Sequence, residues 1–300
     1  MDLPDRSPNV SRRTLLTAVA LGSSALVAGC ADAVLPRGVE TPRVKPSPVQ
    51  PVASPTRSAS PGPVVYGTLR SPATGSTQQW VICYPPGTKP GARLPVVIAL
   101  HGMGDTIYNL DLLQYPSFLA QAVANGATPF AIAAINGQTL FWEKKGRQDG
   151  GALVATDFVA LLKRRGLDTS RLALTGWSMG GWGTLRLACD ELHGKLRAAA
   201  ALSTPCYAKL SDAPESGWMT QQQFDANNFF DRTERLTDLP ILLACGMQDA
   251  FYDGNVVFAD RLANTPGVIR PVTDFGPGGH GPDYWRSVAP AQFRFLASFL

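Results

Sequence analysis

Five continuous apolar runs stand out against a more polar background: residues 96–100 (Val-Val-Ile-Ala-Leu), 130–135, 172–175, 199–202 and 241–244. They do not alternate with polar residues, and each ends at a loop. Runs of this kind predict strands covered on both faces, as in a parallel sheet. Residues 64–69 and 79–84, parted by a turn-rich segment, predict two opening strands, and 268–275 a last one. Between the strands, helical stretches are predicted at 110–125, 152–165, 181–192, 256–263 and 284–300. Strands alternating with helices predict an α/β fold, a mostly parallel central sheet with helices on both faces. Ligands of such sheets bind beyond the carboxyl ends of the strands, so the loops there are where chemistry is expected.

The first 63 residues lack this pattern. Arg12 and Arg13, in Ser11-Arg12-Arg13-Thr14-Leu15-Leu16, read as a twin-arginine export signal. The apolar run that follows, 15–28, is too short and too rich in small residues for a good membrane-spanning helix. It ends in Val27-Ala28-Gly29-Cys30, which resembles a bacterial lipobox. In a lipobox the cysteine is acylated with a diacylglyceryl group and becomes the new N-terminus. Residues 1–29 are therefore expected to be a signal peptide and Cys30 a lipid anchor outside the cytoplasmic membrane. Cleavage after Ala31-Asp32-Ala33 is the alternative and would give a soluble secreted protein. Residues 30–63, rich in Pro and Ser, hold too little apolar surface to fold and are expected to be a semi-rigid spacer. That leaves 64–300 as one large catalytic domain.

Charge adds little. The chain of 300 residues carries a formal +4, and removing 1–29 takes away three arginines and two aspartates, leaving +3. So weak and dispersed a charge does not point to nucleic acid. Besides Cys30 there are Cys83, Cys189, Cys206 and Cys245, an even number for an oxidising compartment. A Cys189–Cys206 disulfide is one expectation and buried free thiols the other. The three histidines lie far apart and no C-x-x-C occurs, so no metal and no cofactor is expected.

The candidate chemistry sits in four loops. Gly176-Trp177-Ser178-Met179-Gly180 lies between a predicted strand and a predicted helix. A serine there, with glycine two residues to either side, fits a nucleophile elbow, and the helix N-terminus favours developing negative charge. A serine hydroxyl needs a base. His193 falls at a helix end and His101 in the loop His101-Gly102-Met103-Gly104-Asp105, which suits an oxyanion loop better. His280, in a glycine-rich loop after the last strand, is the candidate base. Asp249, in Cys245-Gly246-Met247-Gln248-Asp249, is the candidate acid that orients it, with Asp253 as runner-up. Backbone N–H groups of Met179 and Met103 are the candidate oxyanion donors, with Gly104 an alternative to Met103. Aromatics cluster near these loops, and His101, Trp142, Trp177 and Trp218 are the candidate substrate contacts.

With these residues the chain resembles the esterase family of α/β-hydrolases that includes esterase D, bacterial feruloyl esterases and the antigen 85 mycolyltransferases. The likeness spans most of 64–300: residues 67–80, Leu100-His101-Gly102, 176–181, 245–252 with Asn255 and Phe258, Pro277-Gly278-Gly279-His280, and Tyr284-Trp285. It implies the α/β-hydrolase fold and an acyl-serine mechanism with Ser178, Asp249 and His280 as triad. The expected substrate is an ester of a small molecule, lipid or cell-wall polysaccharide, and the expected activity is serine carboxylesterase. Acyl transfer to a sugar or lipid acceptor is the alternative, and a non-catalytic binding lipoprotein a third. The antigen 85 enzymes look to carry glutamate where Asp249 stands, which favours hydrolysis over mycolyl transfer. Residues 209–238, polar and without a substrate signature, are expected to form a lid.

Overall fold

The computed structural model describes residues 59–213 and 220–300. Cys30, Trp218, the signal peptide and most of the spacer lie outside them. Among the described residues ten strands form: β1 (Val64–Ser71), β2 (Ser76–Cys83), β3 (Pro95–Leu100), β4 (Ala131–Ile135), β5 (Lys144–Lys145), β6 (Gln148–Asp149), β7 (Asp168–Trp177), β8 (Leu196–Leu202), β9 (Ile241–Ala244) and β10 (Val272–Asp274). β5 and β6 make a small hairpin, and the other eight form one sheet in the order β1-β2-β4-β3-β7-β8-β9-β10. β1–β2 and β2–β4 pair antiparallel, and every later pairing is parallel.

The continuous apolar runs are explained by burial on both faces. In β3, Val96, Ile98 and Leu100 enter one core while Val97 and Ala99 enter the other. The first core is covered by the helical segments Val159–Arg164, Met179–Cys189 and Tyr252–Ala263 through Leu161, Trp182, Leu185, Phe258 and Leu262. The second is covered by helices Tyr115–Ala124 and Pro282–Ala297 through Tyr115, Leu119, Trp285 and Phe293. This is the α/β-hydrolase fold. Among the described residues no helix is long and apolar enough to cross a membrane.

Three elements differ from the sequence reading. The helix expected over 110–125 is broken into Asn109–Leu112 and Tyr115–Ala124 by Gln114, which takes a left-handed φ of 56°. The last strand is trimmed to three residues at the sheet edge, where Val272 is half exposed. The expected lid region holds a helix, Gln221–Asn227. Its first turn is closed by Thr220 Oγ1 accepting from the Gln223 N–H and Gln223 Oε1 accepting from the Thr220 N–H. The Cys189–Cys206 pairing is also corrected: Cys83, Cys189, Cys206 and Cys245 are buried free thiols. Cys189 Sγ faces the Arg232 carbonyl, whereas Cys206 Sγ faces Asn255 Oδ1.

One buried acid stands apart from the sheet edge where the candidate residues gather. Glu143 has no exposed surface, and among the described residues neither carboxylate oxygen has a hydrogen-bond partner. Burial pushes its carboxyl up to about 7, against the pull of Lys145 at 4.0 Å and of Arg186. The folded state therefore holds this proton more tightly than the unfolded chain. The resulting stability is fully present below pH ~4.5 and is lost as pH rises through about 7. Glu143→Gln removes the titration. Its Tm relative to wild type is expected to rise by about 5 °C between pH 5 and pH 8, from a cost on the order of 2 kcal/mol. Thermal melts of both proteins across that range check this, and a pH-independent difference would contradict it.

Candidate active site

β7 ends at Trp177 and a helix begins at Met179, so Ser178 alone makes the turn. It does so at φ 56°, ψ −122°, a conformation a side-chain-bearing residue rarely adopts and one often stored at functional sites. The turn closes because its flanking glycines lack side chains. A Cβ on Gly176 would overlap the Gly180 carbonyl, and one on Gly180 would overlap the Leu100 carbonyl at the end of β3. The Ser178 N–H donates to the Leu202 carbonyl at 2.9 Å and so prolongs the sheet ladder. The Met179 N–H opens the helix and has no carbonyl within it to meet.

Two further loops are stitched together beside this turn. Residues 245–249 follow β9 and residues 275–281 follow β10. The Met247 N–H donates to the Gly276 carbonyl at 2.8 Å and the Gln248 N–H to the Gly278 carbonyl at 2.9 Å. The Gly278 N–H returns to Gln248 Oε1 at 2.6 Å. A Cβ on Gly246 would overlap the Gly278 carbonyl, so glycine serves close approach there.

The result is a continuous hydrogen-bonded line across three loops. His280 Nε2 lies 3.0 Å from Ser178 Oγ, and His280 Nδ1 lies 2.9 Å from Asp249 Oδ2. A carboxylate only accepts, so Nδ1 carries the proton and Nε2 is free to accept from the serine hydroxyl. The imidazole is one-third exposed and the Asp249 carboxylate fully buried. Burial works to raise the Asp249 carboxyl, but donors outweigh it and hold it below the usual carboxylate value. They are His280, the Phe251 N–H at 2.9 Å and the Ser203 hydroxyl. Ser203 is fixed in turn by the Trp285 indole N–H at 2.9 Å. The rings of Phe251 and Trp285 meet the imidazole edge to face, at 5.0 and 5.3 Å between centroids. Asp253, the runner-up acid, is exposed and lines a neighbouring cavity instead. An imidazole held in this tautomer can take the serine proton and later return it.

The chain leading into loop 102–105 packs against the elbow, since a Cβ on Gly180 would overlap the Leu100 carbonyl and crowd that of His101. Met103 has an exposed side chain and Met179 a buried one. Three expected substrate contacts are not exposed. His101 is buried: it accepts the Gly137 N–H at Nε2 (2.9 Å) and so donates from Nδ1 to the Gly102 carbonyl (2.8 Å). Burial lowers its pKa, against the Gly102 bond and Asp105, which favour the cation. Trp142 is fully buried, packed on the His101 ring at 5.0 Å and against Gly137 and Gly183, where a Cβ would overlap its ring. Trp177 is buried and donates its indole N–H to Asp105. These three support the site from beneath and do not line it. The residues that do flank the imidazole, Phe251 and Trp285, fall in the motifs 245–252 and Tyr284-Trp285, but nothing in the sequence separated them from core aromatics.

Next to Phe251 lies a cavity of about 300 Å³, lined by Tyr207, Phe230, Phe251 and Val257 with Asp212 and Asp253. A second cavity, of about 530 Å³, is lined by Lys209, Phe224, Asp231 and Arg232 and includes none of the three residues of the line.

Neither a protein-family model nor a curated protein matches the chain. Solved structures do. A ferulic acid esterase is 22% identical at TM-score 0.67, with 79% of this chain and 98% of that one covered. FphF, a fluorophosphonate-binding serine hydrolase of Staphylococcus aureus, is 19% identical at TM-score 0.64, covering 79% and 99%. An S-formylglutathione hydrolase from Agrobacterium tumefaciens is 15% identical at TM-score 0.67, covering 79% and 95%. At these identities the likeness establishes the fold. The class so defined is an α/β-hydrolase fold that carries a serine, a histidine and an aspartate in hydrogen-bonding line at one sheet edge.

Proposed function

We propose that the protein is a serine carboxylic-ester hydrolase working through an acyl-enzyme on Ser178. The observation that carries this reading is the unbroken Ser178–His280–Asp249 line at 3.0 and 2.9 Å. His280 takes the serine proton as Oγ attacks the ester carbonyl, then gives it to the departing alkoxide. Asp249 stabilises the imidazolium in between. Water enters against the acyl-serine, His280 accepts its proton, and the acid leaves. The amides of Met179 and Met103 hold the oxyanion.

The cavity beside Phe251 is the place for an apolar part of the substrate, within one ring of the imidazole. Asp212 and Asp253 at its wall disfavour a carboxylate near the scissile bond. p-Nitrophenyl butyrate is therefore expected to react about tenfold faster, in kcat/KM, than the p-nitrophenyl hemiester of succinic acid, a like-charge penalty of ~1.4 kcal/mol. A preference for the hemiester would count against this pocket.

The signal-like sequence supports export and lipidation at Cys30, with the spacer holding the domain off the membrane. Labelling cells with radioactive palmitate tests this, and an unlabelled protein points to the soluble secreted form. Hydrolysis is tested by incubating the purified protein with p-nitrophenyl butyrate, alone and with glycerol or trehalose. Free butyric acid is the expected product in both. A new ester in the presence of either acceptor would move the reading to acyl transfer, and no turnover would remove it.

A further inference from the structure

Asp105 ends the turn Gly102-Met103-Gly104-Asp105. Its N–H donates to the Gly102 carbonyl at 3.2 Å, and Gly104 has φ 81°, the value needed at the third position of a type II turn. Its carboxylate then does two things at once. Oδ2 accepts the Trp177 indole N–H at 2.7 Å, and Oδ1 accepts from Asn109 Nδ2 at 2.8 Å. Asn109 Oδ1 in turn accepts the Thr106 N–H at 2.9 Å, which secures the far side of the loop. Trp177 is the residue before Ser178. One side chain thus ties the loop after β3 to the end of β7, 72 positions away. Gly102 lies beneath the tie: a Cβ there would come within 2.9 Å of Asp105 Oδ2 and 3.2 Å of the Trp177 ring.

We propose that Asp105 is a positioning residue that holds the Met103 amide in register with the Met179 amide across Ser178. The inference rests on the serine-hydrolase reading. The role is mechanical. A carboxylate cannot donate to an oxyanion, and a bare negative charge nearby would oppose one. Its two hydrogen bonds fix the loop and also spread that charge onto their donors. A loop released from the elbow leaves one oxyanion donor misaimed, and loss of one such donor costs about 10²-fold or more in kcat. Substrate affinity, set elsewhere, is little affected.

The test compares an oxygen ester with the matching thionoester, whose C=S sulfur is a poor hydrogen-bond acceptor. An aligned oxyanion hole favours the oxygen ester, and a misaligned one loses that preference. In Asp105→Ala, kcat on the oxygen ester is expected to fall about 10²-fold, with KM within about threefold of wild type. The oxygen-to-sulfur ratio of kcat/KM is expected to fall about tenfold. Asp105→Asn can still accept from Trp177 but presents an N–H₂ to Asn109, so it should fall between the two. It also decides the matter if the alanine variant does not fold, as judged by circular dichroism. A wild-type ratio and kcat in the folded variants would overturn the role of Asp105 alone. A wild-type protein that turns over neither ester would overturn the hydrolase reading and this inference together.

Discussion

Ser178→Ala is expected to lower kcat on p-nitrophenyl butyrate by about 10⁵-fold or more, to a residual rate near that of the remaining binding groups. On the proposed mechanism the change removes the atom that forms the acyl bond, and it leaves the surroundings in place. The Ser178 backbone bonds to Leu202 and from Trp182 do not involve Oγ. His280 keeps its bond to Asp249 and its contacts with Phe251 and Trp285. The variant is therefore expected to fold, with its far-ultraviolet circular dichroism unchanged. A loss of less than about tenfold would mean that the hydrolysis observed arises elsewhere.

Asp249→Asn should cost about 10⁴-fold in kcat at neutral pH. An amide has the size of the carboxylate but can turn its N–H₂ toward His280 Nδ1. The proton is then driven to Nε2, where it blocks acceptance from Ser178. The stabilising charge for the imidazolium is lost as well. The Phe251 amide and the Ser203 hydroxyl, which hold the carboxylate now, can hold only one oxygen of the amide. Replacing Asp253 instead should change kcat by less than about threefold, since it is exposed and forms no part of the line. Steady-state kinetics of the two variants side by side check both statements.

The sheet was legible because its strands are buried on both faces. That burial forces continuous apolar runs such as 96–100, whose short length and β-branched Val96, Val97 and Ile98 set them apart from a buried helix. Ser178, Asp249 and His280 were legible for a different reason. Each lies in a loop directly after a strand, and a parallel sheet gathers such loops at one edge. The supporting shell was hidden. Asp105 and Trp177 are 72 positions apart, and no spacing rule connects an indole to a carboxylate over that distance. Trp142 and Trp177 sit in or beside polar loops, yet their rings turn inward onto His101, Gly183 and Tyr115. Sequence polarity reports the company a residue keeps along the chain, not the direction of its side chain. The helix at Gln221–Asn227 was missed although Thr220 and Gln223 spell its capping box, because few apolar residues surround them. Phe224, Phe229 and Phe230 anchor that region to the core.

The most direct measurement is covalent. The purified protein is treated with diisopropyl fluorophosphate, and the adduct is located by mass spectrometry of its peptides, for wild type and for His280→Ala. A single diisopropylphosphoryl adduct on Ser178, formed with loss of fluoride, is expected in wild type and at least 10³-fold more slowly in the variant, since on the proposed mechanism the imidazole takes the hydroxyl proton. An adduct on another residue, or equal rates with and without His280, would contradict the claim that these two side chains work as one unit.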